Sequence, residues 1–129
     1  MIVIDASAIL EVLMRSSASG AIVGRIFRGG ETWHAPHLLD LEVAQVLRRY
    51  VIAREIEAAR GLTALEDLKD MPFTRYPHVP LLSRIWELRA NFTAYDAAYL
   101  ALAEALDCPL LTRDARLGSA PSGAVVEVV

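Results

Sequence analysis

Four carboxylates occupy places in this sequence where they could do chemistry together. Asp5 follows directly on the apolar run Ile2-Val3-Ile4, and Asp114 stands two residues beyond a second run, Leu110-Leu111-Thr112. Glu42 and Asp96 sit near the starts of two predicted helices. Oxygen donors alone, with no His-x-x-x-His or Cys-x-x-Cys spacing beside them, select a hard cation, Mg²⁺ or Mn²⁺ rather than Zn²⁺. Carboxylates gathered without a cation repel one another and rise in pKa, so such a cluster implies bound metal. Each acid also has a plainer reading. Asp5 and Asp114 can cap the turns that follow them, and Asp96 completes a capping box with Thr93. Glu42 can lie on an exposed helix face near Gln45 and Arg49, and composition does not prefer it over Asp40.

The elements that must carry these residues alternate. Residues 2–4 form a short β-branched run suited to a strand buried on both faces. Ser7 is a fair N-cap for a helix over 8–14, and a second helical stretch covers 17–28, closing at Gly29-Gly30. Thr32-Trp33-His34 reads as a strand. Pro36 opens a helix to about residue 53, with Val43, Ala44, Leu47 and Val51 at helical spacing and Arg48, Arg49 and Arg54 at its end. A further helix over 55–70 is expected to break or kink at Gly61. A strand at 73–76, helices at 80–90 and 93–106, and strands at 110–112 and 125–128 complete the pattern. Strands separated by helices, without hairpin turns, predict a parallel sheet covered by helices on both faces. In such a sheet the functional crevice lies at the carboxyl ends of the strands, which directs attention to Asp5 and Asp114.

Composition bounds the alternatives. At 129 residues, 54% hydrophobic and 22% charged, the chain is expected to form a single domain over residues 1–129. The longest stretch without a charged side chain, residues 117–126, holds two glycines and a proline and is far from a membrane span. The N-terminus reads as mature and intracellular, hence cytoplasmic, and the lone Cys108 reads as a small apolar side chain. Net charge is −3, and twelve of thirteen basic residues are arginine. Setting the four acids aside leaves 12 acidic against 13 basic residues, a remaining surface close to neutral. The mean hydropathy of +0.34 points to an apolar interface. His34, His37 and His78 form neither a triad nor a zinc set, and Trp33 and Trp86 read as core or interface anchors.

Taken together, Ile2-Val3-Ile4-Asp5-Ala6-Ser7-Ala8, Leu41-Glu42-Val43-Ala44-Gln45-Val46-Leu47, the segment from Tyr95-Asp96-Ala97-Ala98-Tyr99 to Ala103, and Leu111-Thr112-Arg113-Asp114 resemble the PIN-domain family, in its VapC-type toxin branch. The resemblance spans essentially the whole chain, and the third segment is its most specific part. It implies a three-layer α/β/α fold with a central parallel sheet of about five strands. It further implies a metal-dependent endoribonuclease of a type II toxin–antitoxin pair, acting on structured tRNA or rRNA with Mg²⁺ or Mn²⁺. On that resemblance Asp5 and Asp96 are the principal metal ligands, Glu42 completes the core site, and Asp114 supports a second cation or water. Ser7 and Thr112 match assisting hydroxyls, and Arg113 lies beside them. A homodimer and a cognate VapB-like antitoxin are the implied protein partners, with Leu13, Met14, Ile52 and Ile56 as surface candidates. Arg48, Arg49 and Arg54 are candidates for phosphate contacts. A receiver or aspartyl-phosphate domain fits less well, because Asp5 lacks an acidic neighbour and Lys69 falls within a helix. A non-catalytic α/β interaction domain, its carboxylates serving as caps, is the remaining alternative.

Overall fold

The computed structural model describes all residues, Met1–Val129. Its strands are β1 (Ile2–Ile4), β2 (Trp33–Pro36), β3 (Phe73–Tyr76), β4 (Leu110–Thr112) and β5 (Val126–Val128). Helices α1 (Ala6–Leu13) and α2 (Ser19–Arg28) separate β1 from β2, and α3 (Leu38–Ile52) and α4 (Ala58–Asp70) separate β2 from β3. A 3-10 turn (Val79–Leu81), α5 (Leu82–Glu87) and α6 (Ala94–Leu106) lead to β4, and α7 (Arg116–Ser119) precedes β5.

The strands form one five-stranded sheet in the order β3-β2-β1-β4-β5, with every pairing parallel. The chain builds outward from β1 through β2 to β3, then crosses back to place β4 on the other side of β1. That reversal creates a topological switch point between the carboxyl ends of β1 and β4, where the loops diverge and leave a crevice. Asp5 and the residues after Thr112 emerge there. β1 is the middle strand, and its three residues are wholly buried, as a continuous β-branched run predicts. Helix α6 packs on β1, β2 and β4. Its residues Ala97, Ala98, Tyr99, Leu100, Ala101, Leu102 and Ala103 are all buried, and the four alanines allow a close approach to the sheet. One cluster of 29 buried side chains forms the core.

Three local expectations are corrected. The N-cap of α1 is Asp5, not Ser7: Asp5 has extended backbone and its Oδ1 accepts the Ala8 N–H at 3.0 Å, while Ser7 lies inside the helix. Pro36 does not open α3 but ends β2, paired with Tyr76. Pairing with β1 stops opposite His34, so the absent Pro36 N–H costs no ladder bond. Gly61 neither breaks nor kinks α4, which begins at Ala58 and runs through it. A Cβ there would stand 3.4 Å from Val51 Cγ2, an ordinary contact, so the helix neither breaks at the glycine nor depends on it for space. No helix is long and apolar enough to cross a membrane.

Candidate active site

At the switch point, the end of β1 and the end of β4 are tied by hydroxyls. Thr112 Oγ1 donates to Asp5 Oδ2 at 2.5 Å, and Ser7 Oγ donates to Asp5 Oδ1 at 2.7 Å. The two hydroxyls lie 3.2 Å apart. Ser7 Oγ accepts the Arg113 N–H at 2.9 Å, and Thr112 Oγ1 accepts the Asp114 N–H at 2.9 Å. Asp5 is only 5% exposed, so this neutral cage fixes a buried carboxylate without supplying a counter-charge.

Glu42 comes from the second turn of α3 and lies on the flank of that helix's buried stripe of Leu39, Val43 and Leu47. Its Oε1 is buried and has no hydrogen-bond partner. The Tyr99 hydroxyl, on α6, faces Glu42 without completing a hydrogen bond and is itself unpartnered. Asp96 lies in the first turn of α6, where its N–H donates to Thr93 Oγ1 at 3.2 Å, so the capping reading of Thr93 is borne out. Asp114 differs from the other three: both its oxygens are taken by Arg116.

The charges follow this geometry. Burial pushes the Asp5 carboxyl above its usual range against the pull of Thr112, Ser7 and the Ala8 N–H, and Asp96 adds to the rise. Burial also raises Glu42 against the pull of the nearby Tyr99 hydroxyl, with Asp5 and Asp96 reinforcing the rise. Asp96 is raised by burial and by Asp114. Asp114 is instead held low by Arg116. The four acids therefore form one electrostatic neighbourhood. As the side chains stand, however, no three of them are arranged as a ready cage for one ion.

A pH dependence follows. A carboxyl raised in the folded chain binds its proton more tightly there than when unfolded, so stability falls as pH rises from the ordinary carboxylate range through the raised values. Asp114, Glu104 and Glu127 are lowered and act in the opposite sense, below that range. In EDTA the melting temperature is expected to peak in mild acid and decline toward neutrality because of Asp5, Glu42 and Asp96. Melts across a pH series check this, and a level neutral limb would contradict the burial of these charges.

Beside Glu42 a groove of about 450 Å³ runs along α3, lined by Leu41, Gln45, Val46, Arg49 and Tyr95 among others. Leu41 and Tyr95 are exposed there, and Trp86 is 67% exposed on α5 with Arg89 over its ring, in keeping with the apolar surface the hydropathy predicted. The arginine trio expected at the end of α3 does not act as one patch. Arg49 points along the groove from Glu42, Arg48 lines a different hollow between α3 and α4, and Arg54 lies beyond the helix in left-handed backbone. Leu13 is core, whereas Ile52 is exposed and Met14 and Ile56 edge a shallow hollow beside Tyr50. His34 is buried between Thr32 and Tyr76, away from any catalytic partner. Tyr99 and Arg116 were not singled out by sequence. Tyr99 stands three residues after Asp96, one helical turn on the same face, which was the available signal.

Residues 2–122 match the PIN domain family. The chain belongs to the PIN-domain family. Within it, this PIN domain falls among the VapC ribonucleases: it is 47% identical over 117 residues to "Ribonuclease VapC9" of Mycobacterium tuberculosis, covering 91% of this chain and 88% of that protein. It is 45% identical over 120 residues to "Ribonuclease VapC1" of the same organism, covering 92% and 90%. In fold, the PIN domain superposes on PAE2754 from Pyrobaculum aerophilum with a TM-score of 0.73 at 23% identity, over 97% of this chain and 82% of that one. VapBC2 from Rickettsia felis, solved bound to a DNA fragment from its promoter, gives a TM-score of 0.73 at 12% identity over 98% of both chains. The α/β fold with its five-stranded parallel sheet is thus the PIN fold the sequence led us to expect.

Proposed function

We propose that this chain is a metal-dependent endoribonuclease, the toxin of a type II toxin–antitoxin pair, hydrolysing phosphodiester bonds of structured RNA such as tRNA or rRNA. The observation that carries the metal site is the Glu42 Oε1 atom, buried without a hydrogen-bond partner in the electrostatic neighbourhood of Asp5 and Asp96, neither of which forms an ion pair. An orphaned buried carboxylate oxygen is costly unless a cation completes it. The all-oxygen donor set of Asp5, Glu42 and Asp96 fits Mg²⁺ or Mn²⁺. When bound, such an ion lowers the pKa of water and stabilises the charge that builds on a phosphate under attack.

The residues of the chain have separate roles. Ser7 and Thr112 hold the Asp5 carboxylate in one orientation, which keeps both its oxygens fixed at the sheet end. Asp96 and Glu42, offered by two different helices, complete the oxygen set. Asp114, its oxygens held by Arg116, stands at the rim and joins the oxygen set only when that pair opens. Arg49 and Gln45, along the groove from Glu42, are placed to meet the RNA backbone. The family relationship supports a cognate VapB-like antitoxin as partner, and the exposed apolar residues Leu41, Tyr95 and Trp86 offer surface for it or for the second copy of a homodimer.

The test is cleavage of a labelled small-RNA pool by the purified chain with Mg²⁺, Mn²⁺ or EDTA, alongside Asp96→Asn. Discrete products that require metal and vanish in the variant are expected. Folded protein that cuts nothing under any metal, and carries no co-purified inhibitor by mass spectrometry, would favour a non-catalytic interaction domain instead.

A further inference from the structure

Of the aromatic rings that are more than half exposed, Phe27 and Trp86 are already engaged. Phe27 packs edge-on against Trp33 with ring centroids 5.4 Å apart, and Trp86 carries the Arg89 guanidinium over its face at 4.7 Å. Tyr95 is 65% exposed and has neither a ring nor a cation on it. Its place in the fold is specific. It directly precedes Asp96 in the first turn of α6, and it lines the groove of about 450 Å³ whose wall includes Glu42. The exposed Leu41 lines the same groove, with Gln45 and Arg49 about one and two turns beyond Glu42 on α3. Arg49 belongs to none of the chain's ion pairs.

We propose that Tyr95, flanked by Leu41, is the stacking platform for one unpaired base of the substrate RNA, with Arg49 on a backbone phosphate further along the groove. The inference rests on the ribonuclease reading above and deepens it by naming what seats the nucleotide beside the cut. A ring open to water gains by stacking, every base has a face to offer it, and a tyrosine loses little side-chain freedom in doing so. An unpaired guanidinium in the same groove calls for an anion, which a nucleotide chain supplies with each phosphate and an apolar peptide does not. From Glu42 to Arg49 the helix rises about 10 Å at 1.5 Å per residue, a distance that one extended nucleotide spans with the reach of the arginine side chain. A base that lies on Tyr95 must be out of a duplex stack, so the platform selects loops, bulges and single strands over paired RNA.

The experiment measures the affinity of the full chain for fluorescein-labelled single-stranded hexaribonucleotides of A, U or C, by anisotropy in EDTA at low salt, so that binding is read without metal. Tyr95→Ala and Tyr95→Leu are expected to bind about tenfold more weakly, the size of one lost stack, and Tyr95→Phe as tightly as wild type. Arg49→Ala is expected to weaken binding and to flatten its salt dependence by about one phosphate. A blunt RNA duplex should show no dependence on Tyr95. Because Tyr95 is exposed, these variants are expected to melt as wild type does. Equal affinity of Tyr95→Ala and wild type, full affinity in Tyr95→Leu, or a wild-type chain that binds no hexamer would overturn the inference. Unchanged RNA affinity in Tyr95→Ala together with altered sedimentation would make the groove a protein interface instead. Cleavage of the RNA pool in Mg²⁺ is scored separately. A chain that cuts the pool without Tyr95-dependent binding keeps the ribonuclease reading and loses this one, whereas Tyr95-dependent binding without cleavage does the reverse.

Discussion

Asp5→Asn is expected to abolish RNA cleavage and, in EDTA at neutral pH, to raise the melting temperature. The two effects have one cause. Asp5 is nearly fully buried, and its contacts are hydroxyls and an N–H, none of which carries charge. A buried carboxylate held without a counter-ion weakens the apo fold, and burial accordingly raises its pKa. Asparagine keeps an oxygen for the Ala8 N–H and serves as an N-cap about as well as aspartate, so helix α1 retains its start. What disappears is the negative charge, which in the proposed site is one of the three that hold the cation. Losing ~4 kcal/mol of transition-state stabilisation corresponds to roughly a thousandfold fall in rate, and a loss of at least that size is expected here. Rates on labelled RNA and melts in EDTA provide the check. A variant that cuts normally would remove Asp5 from the site. One that loses activity and also melts lower would make Asp5 a structural cap.

Ile4→Ala, one residue earlier, should have the reverse signature. Ile4 is wholly buried in the middle strand, and both faces of the sheet are covered by helices, so little can move in to fill the space. Truncations of this kind cost about 2–5 kcal/mol, a large share of the ~5–15 kcal/mol that holds a domain of this size. The denaturant midpoint is expected to fall accordingly, with cleavage per folded molecule largely kept. A cost under ~1 kcal/mol would mean that the sheet repacks around β1. Together the pair separates what builds the sheet end from what that end presents.

Much of this arrangement was legible in the chain. The β-branched run 2–4, the apolar run at 110–112 and the helical spacing between strands pointed to a parallel sheet, because burial on both faces leaves that pattern in any sequence. Placing Asp5 and Asp114 at the sheet's carboxyl edge followed from the same rule. Local capping was less legible. Asp5 and Ser7 are both good caps, and the choice fell to Asp5 because the Ser7 hydroxyl is drawn to the Asp5 carboxylate and the Arg113 N–H. Gly61 looked like a helix breaker, yet α4 runs through it, because the surrounding residues and the packing of that helix outweigh one glycine's propensity.

The choice between Asp40 and Glu42 marks the division most clearly. Both flank the buried stripe of Leu39, Val43 and Leu47, on opposite sides, so periodicity alone treats them alike. In the folded chain Asp40 pairs with Arg75 through bonds of 2.8 and 2.9 Å, while Glu42 keeps a buried oxygen without a partner and shares the electrostatic neighbourhood of Asp5 and Asp96. The sequence by itself determined the layered α/β fold and the set of acids available to it, because burial periodicity and residue chemistry are local properties. Only the tertiary structure decided which acids meet, which one Arg116 neutralises, and how the arginines at the end of α3 part company. Those depend on the rotation of each helix against the sheet, which no single helix encodes.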